Sequence, residues 1–92
     1  THFIAHDTSD TVGVVVVEKV LEGQEVSGWI METDETVSIK ALKEVPLGHK
    51  LALTDIKIED TIVKYGHDIG RAVDDIPKGG YVHVHNVKTK RW

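Results

Sequence analysis

The sequence predicts a mostly β domain of short strands joined by sharp corners. β-Branched residues dominate its apolar segments, and each of these segments is short. Such segments are typical of pleated strands with one or both faces buried. Glycine recurs between them, as expected at tight turns. No segment carries an apolar period of 3.6 residues for long enough to predict a helix of several turns, so we expect short helical turns at most.

The strand candidates follow one another along most of the chain. The first is "TVGVVVVEKV", whose run Val14 to Val17 does not alternate and is therefore expected to be buried on both faces. The segment "GHDIGRAVDDI" fits either one short helical turn or a strand, and its two glycines favour the less regular option. The other candidates are "SGWIME", "TVSIKAL", "HKLALTDI", "DTIVKYG" and "GYVHVHNV".

A corner motif recurs between these candidates. In each copy an apolar residue is followed three positions later by Gly, and a second apolar residue stands three positions beyond that Gly. Glycine can take the positive φ that other residues resist, and Pro, where present, presets the turn. The motif thus predicts a turn followed by a new strand. Its copies span Val20 to Val26, Val45 to Leu51 and Ile76 to Val82.

Length and composition indicate a single small globular domain, spanning residues 1–92. The chain has 92 residues, of which 40% are hydrophobic and 28% charged, and these values argue against disorder. A domain of this size buries only about 60% of the surface that its unfolded chain exposes. An active-site cavity enclosed by this chain alone is therefore not expected. If the chain takes part in chemistry, we expect it to supply one wall of a site completed elsewhere.

Charge and cysteine content argue against several function classes. The formal net charge is −4, from 11 basic and 15 acidic side chains, which disfavours nucleic-acid binding. The absence of Cys excludes disulfides and thiolate chemistry and fits a cytoplasmic location. The run Val14 to Val17 is far shorter than the roughly 20 residues of a spanning helix, so we expect no membrane association.

Two histidines near the C-terminal end are the first candidates for chemistry. His83 and His85 stand at i and i+2, so in a strand both imidazoles would project from one face. Neighbouring imidazoles can share a metal, bracket an anion, or divide acid and base roles near neutral pH. The alternative is a half-exposed strand with a histidine-rich polar face. Asn86 is by default a turn residue and by hypothesis a polar anchor.

Two further pairs carry groups suited to an anionic ligand. His49 and Lys50 follow Gly48, where the backbone can approach a ligand closely. A lysine is a donor-only point charge that suits a carboxylate. Lys64 and Tyr65 form the second pair, in which the tyrosine hydroxyl points either into a site or into satisfied core contacts. For both pairs the alternative is a solvated strand end.

Taken together, the elements of the second half resemble a known family. The string "PLGHKLALTDIKIEDTIVKYGHDIGRAVDDIPKGGYVHVHN" is similar to the small N-terminal SAF domains of altronate and galactarate dehydratases. The resemblance rests on "GHK", "ALTDI", "KYG", "IG", "DI" and "VHVHN", in that order, and covers about half of the chain. It implies a SAF-type β-clip fold, a folded ribbon of short strands, which agrees with the strands and corners predicted above.

The first half resembles a different branch of the same family. "DTVGVVVVEKVLEGQEVSGWIMETDETV" is more similar to the small subunits of sulfolactate sulfo-lyases than to sugar-acid dehydratases. This resemblance implies a lyase subunit that eliminates a C3 group from an anionic 2-hydroxy acid together with a large catalytic (beta) subunit, and that is inactive without it. The alternatives are a small subunit or N-terminal domain of a sugar-acid dehydratase, and a non-catalytic anion-binding module.

The resemblance also implies a cofactor and site residues. The family's metal is iron (Fe²⁺), expected mainly in the large subunit, and whether metal touches this chain is left open. His83, His85 and His49 are the expected catalytic residues. The expected substrate-binding residues are Lys50, Lys64, Tyr65 and Asn86.

Overall fold

The computed structural model describes residues 1–65, 67–83 and 85–88, and these residues form strands, turns and loops without a helix. The prediction of a mostly β domain is confirmed. Within the described residues, no helix is long and apolar enough to cross a membrane. The strands are β1 Phe3–Ala5, β2 Val12–Val15, β3 Lys19–Val20, β4 Glu25–Ile30, β5 Glu35–Lys40, β6 Val45–Pro46, β7 Lys50–Ala52, β8 Thr61–Lys64, β9 His67–Ala72, β10 Tyr81–Val82 and β11 Val87–Lys88.

These strands form a six-stranded sheet, a three-stranded sheet and a two-stranded ribbon. The largest sheet has the order β10-β7-β2-β1-β4-β5, the second has the order β11-β9-β8, and β3 pairs with β6. β1 and β4 pair in parallel, and the other pairings are antiparallel. Strand β10 therefore lies at one edge of the large sheet, where it pairs with β7.

The hydrophobic core consists of two clusters. Phe3 and Leu51 belong to the first, against which Tyr81 packs. Ile62 and Val82 belong to the second. Because Leu51 and Val82 lie on neighbouring strands with their side chains in different clusters, the β7–β10 edge separates the two clusters. This edge carries His49, Lys50 and His83, whereas Lys64 and Tyr65 lie at the end of β8.

The corner motif takes the backbone conformation that its glycines predict. Gly23, Gly48 and Gly79 have φ values of 83°, 81° and 86°, in the left-handed region that L side chains resist. Each is followed by a new strand or by the residues that lead into one. Gly48 leads into β7 and Gly79 into β10, so two of the three corners deliver strands to the candidate site.

Two predictions about the strands are wrong in detail, and one open choice is decided. Val16 is 42% exposed, because β2 ends at Val15 and the chain then leaves the sheet; the run is not buried on both faces. The strand "GYVHVHNV" is interrupted, since β10 ends at Val82 and the chain turns before β11. The segment "GHDIGRAVDDI" contains strand β9, not a helical turn.

Candidate functional site

Strand register brings His49 and His83 together from distant parts of the chain. In the antiparallel β7–β10 pair, Leu51 is opposite Tyr81 and Lys50 is opposite Val82. One step further along this register, His49 comes to lie opposite His83. Their rings stack with centroids 4.0 Å apart and planes inclined by 23°. The two imidazoles thus meet at the open end of the sheet edge.

Tyr81 lies at the centre of this group, although the sequence analysis did not single it out. Its hydroxyl hydrogen-bonds to Nδ1 of His49. Its ring stacks on His83 with centroids 5.9 Å apart and meets the ring of exposed His85 edge-on at 5.3 Å. We call these four residues the ring cluster. The signal was present in the sequence, because Tyr81 precedes His83 by two positions and so shares the alternation of the histidines.

His83 and His85 share this cluster for a different reason from the predicted one. They do not lie in a continuous strand; the chain turns there, and the amide of Asn86 donates to the carbonyl of His83 at 3.1 Å. The Asn86 side chain closes the turn, since Oδ1 accepts from the amide of His83 at 2.9 Å and Nδ2 donates to the carbonyl of Tyr81 at 2.7 Å. Asn86 is buried. Its amide contacts the backbone, and its role in substrate binding stays a prediction.

We call Lys50 and Lys64 the lysine pair; Lys50 begins β7 directly after His49, and Lys64 ends β8. Alternation along the chain directs Lys50 away from the face of His49 and Leu51. Partial burial and the nearby charge of Lys64 lower the pKa of Lys50. Two ammonium groups held near each other repel, and an anion placed between them would relieve that repulsion. Both side chains thus contribute positive charge to the same region of the molecule.

Tyr65 borders the lysine pair. The Nζ atom of Lys64 lies 5.7 Å from the centroid of the Tyr65 ring, within the range of a cation–π contact. The amide of Tyr65 donates to Oδ2 of buried Asp10 at 3.0 Å, which helps to hold Tyr65 at its positive φ of 52°. Burial and the Asp10 charge raise the pKa of the Tyr65 hydroxyl, which therefore stays protonated and able to donate.

The environment of His83 favours a neutral imidazole. Its Nδ1 is buried, and among the described residues it has no hydrogen-bond partner. Desolvation lowers the pKa of His83, and the neighbouring charges of His49, Lys50 and His85 lower it further. In the protonated ring, Nδ1 would carry a buried N–H without an acceptor, and this free-energy cost also lowers the pKa of His83. His83 is thus able to accept a proton near neutral pH.

The ring cluster does not fit iron. Among the described residues, one set of three His, Asp or Glu side chains brings its ligand atoms close enough to share an ion, namely His6, Asp7 and Glu32. These follow β1 and β4, on other elements than β7 and β10, and Nδ1 of His6 lies 3.5 Å from a carboxylate oxygen of Asp7 and 4.0 Å from one of Glu32. The rings of His49 and His83 are stacked and lie near the positive charge of Lys50, an arrangement that favours an anion over a cation.

An open cleft adjoins the ring cluster. It has a volume of about 430 Å³, and Leu42, Pro77, Tyr81, His85 and Asn86 are among its lining residues. Tyr81 and His85 border both the cleft and the cluster. Through Tyr81, whose hydroxyl bonds to His49 and whose ring stacks on His83, the cleft adjoins both of these imidazoles. The arrangement can bind a small anion and move a proton beside it.

Comparison with known proteins places the chain in a family. The family model of the altronate/galactarate dehydratase SAF domain matches residues 1–90. The chain is 52% identical over 90 residues to (2R)-sulfolactate sulfo-lyase subunit alpha of Chromohalobacter salexigens, covering 98% of this chain and 96% of that relative. It is also 52% identical over 54 residues to the subunit of the same name in Paracoccus pantotrophus, covering 59% of this chain and 81% of that relative.

A longer relative shares only this domain. The chain is 53% identical over 53 residues to altronate dehydratase of Bacillus subtilis, covering 58% of this chain but 11% of that enzyme. The resemblance noted from the sequence is thereby confirmed. The chain belongs to the altronate/galactarate dehydratase SAF domain family and, within it, to the relatives of (2R)-sulfolactate sulfo-lyase subunit alpha.

Proposed function

We propose that this chain is the small (alpha) subunit of a carbon–sulfur lyase that converts (2R)-3-sulfolactate into pyruvate and sulfite. The supporting observation is the 52% identity to a subunit of that name, which extends over 98% of this chain and 96% of the relative. The ring cluster and the lysine pair support the same proposal, because the substrate carries two anionic groups and a proton must move beside them. We propose a cytoplasmic location, in keeping with the absence of cysteine.

The proposed reaction is an elimination across C2 and C3. A base removes the C2 proton, the C3–S bond breaks, and its electron pair leaves with sulfite. The resulting enol of pyruvate takes a proton at C3 and becomes the 2-keto acid. The C2 proton is only weakly acidic, so the site needs a base and groups that stabilise the negative charge developing on the carboxylate side. These needs define what the side chains of this chain would do.

Each part of the site has a role in this scheme. Lys50 and Lys64 would bind the carboxylate or the sulfonate, with Tyr65 at the rim of the lysine pair. His83, held neutral by its environment, would accept or return a proton. His49 would contact the anionic group as a donor, and exposed His85 would serve as a second proton-transfer or contact residue.

We propose that a large (beta) subunit completes the site and that the chain is inactive alone. The cleft that Tyr81 and His85 line is open to solvent, and His85 is exposed beside it. Iron, as a Lewis acid, would stabilise the developing enediolate when bound. Because the ring cluster does not fit iron, we assign the metal to the large subunit. The chain would then supply charge, hydrogen bonds and proton transfer from the facing wall.

The first experiment is reconstitution. Purified chain is mixed with the large subunit, and the release of sulfite and pyruvate from (2R)-sulfolactate is measured. We expect activity in the mixture and none from either subunit alone. Full activity of the large subunit alone would contradict a catalytic role. Elimination of water from sugar acids, with no sulfite release, would favour the dehydratase alternative, which the match to altronate dehydratase keeps open.

Variants of the chain separate catalysis from binding. We expect His83→Gln to lower kcat of the reconstituted enzyme about 100-fold, the smaller end of what a proton-transfer group supplies. His6→Gln is the matched control, since His6 is exposed and lies outside the ring cluster. If His83→Gln and His85→Gln alter only affinity or assembly while turnover is kept, the chain is an anion-binding or regulatory module.

A further inference from the structure

We propose that Tyr81 is a positioning residue that holds neutral His49 in the tautomer with its proton on Nε2. His49 would then face the substrate as a hydrogen-bond donor, not as a base. The tautomer follows from the geometry of this chain. Only its consequence for turnover rests on the proposed function.

A side-chain hydrogen bond joins two members of the ring cluster. The Tyr81 hydroxyl bonds to Nδ1 of His49, so this nitrogen is occupied inside the cluster. The rings of Tyr81 and His49 are 5.6 Å apart and inclined by 42°. Stacking on His83 restrains one face of the His49 ring. The remaining nitrogen, Nε2, is therefore the atom that His49 can present to a ligand.

The backbone around Tyr81 and His49 holds the two residues side by side. Tyr81 is paired with Leu51 in the β7–β10 register, and its carbonyl accepts a hydrogen bond from the buried Asn86 side chain at 2.7 Å. His49 is tied to the same sheet, because its carbonyl accepts from the amide of Val15 at 3.0 Å. Main-chain bonds thus fix both backbones, and ring packing restrains the two side chains that meet in the hydrogen bond.

The direction of the hydrogen bond follows from the acidity of its two partners. A phenol hydroxyl ionises near pH 10 and is a good donor, whereas the N–H of a neutral imidazole is a much weaker acid. A neutral imidazole has one donor and one acceptor nitrogen. The favoured arrangement therefore has Tyr81 donating to Nδ1, which leaves the proton of His49 on Nε2. A donor at this position suits a carboxylate or sulfonate, and it leaves proton abstraction to another group.

Nitrogen NMR tests the tautomer directly. Long-range ¹H–¹⁵N spectra of the full ¹⁵N-labelled chain are recorded at a pH where the histidines are neutral. His2 provides an internal reference, because its Nδ1 accepts the backbone N–H of Ser27 at 2.9 Å and its neutral form must carry the proton on Nε2. We expect His49 to show the same pattern as His2. The Nδ1–H pattern at His49 in the unmodified chain would overturn the proposal, whether or not any variant folds.

Tyr81→Phe tests the cause. We expect the His49 signals to shift toward a mixture of tautomers while the His2 signals stay in place. Ser38→Ala is the matched control, because it also removes a side-chain hydroxyl. That hydroxyl donates to Glu25 at 2.9 Å, between strands β5 and β4, which do not carry the ring cluster. An unchanged His49 pattern in a folded Tyr81→Phe chain would show that Tyr81 does not select the tautomer.

Turnover tests the consequence. In the reconstituted enzyme we expect Tyr81→Phe to raise KM for sulfolactate about tenfold, the effect of weakening one hydrogen bond to a charged group, and to change kcat by less than about twofold. A tenfold fall in kcat at constant KM would overturn the donor role and indicate proton transfer at His49. If the unmodified enzyme releases no sulfite, the proposed function fails, while the tautomer result stands on its own.

Discussion

Removing the Asn86 side chain should destabilise the fold and disperse the ring cluster at the same time. The side chain is 6% exposed and makes two hydrogen bonds, one to the amide of His83 and one to the carbonyl of Tyr81. In Asn86→Ala each lost bond costs about 1 kcal/mol, and each backbone group left buried without a partner adds up to about 1 kcal/mol more. We therefore expect the free energy of unfolding to fall by about 2–4 kcal/mol.

The assay is urea unfolding followed by circular dichroism, with the histidine NMR signals as a second measurement. Asp55→Ala is the control, because Asp55 also accepts a backbone N–H, that of Lys78 at 2.8 Å, but at an exposed site. We expect it to cost less than about 1 kcal/mol. If Asn86→Ala unfolds like the control and the signals of His83 do not move, Asn86 does not hold the turn, and a direct role in substrate binding becomes the better explanation.

Four further outcomes are expected. Gly28→Ala should lower the free energy of unfolding by about 3 kcal/mol or more, because its Cβ would lie 2.0 Å from the buried Phe3 ring. Gly23→Ala should lower it by about 1–2 kcal/mol, because the only obstacle there is the φ of +83°. Equal losses for the two variants in urea unfolding would contradict this. Lys50→Met should raise the pKa of His83 measured by NMR titration, since a neighbouring cation is removed, and an unchanged pKa would show that the two are not coupled. The pKa of His83 in the folded chain lies below its ordinary value of 6.5, so the unfolded chain binds the proton more readily. The free energy of unfolding should therefore be highest above pH 6.5 and should decrease as the pH falls through the pKa of folded His83. His83→Gln should abolish this decrease. Iron should remain with the large subunit when the subunits are separated, and stoichiometric iron on this chain would refute the assignment.

The fold class and the corners could be predicted from local sequence. Short β-branched segments gave the strands, and Gly23, Gly48 and Gly79 all take the positive φ expected of them. Both predictions depend on energies set within a few residues, so one sequence was enough. The burial of the valine run was predicted wrongly at Val16, because where a strand leaves its sheet depends on the strand's neighbours.

The composition of the site depended on contacts that the local sequence does not contain. His83 and His85 were chosen for their alternation, yet the chain turns at His83 because Asn86 binds the backbone there. Tyr81 was missed because a tyrosine next to an apolar residue is equally consistent with the core. The predicted catalytic and substrate roles of these residues remain predictions, to be decided by the experiments above.

The sequence by itself determined that this chain folds into short strands with glycine corners, and it identified the imidazoles and lysines available for chemistry. The tertiary structure decided which of them meet. His49 reaches His83 only because β7 pairs with β10 in one register, and a shift of one residue would turn one of the two rings to the opposite face. This register buries Leu51 in one core cluster and Val82 in the other. The free energy that favours it over a shifted register arises only when distant segments pack together.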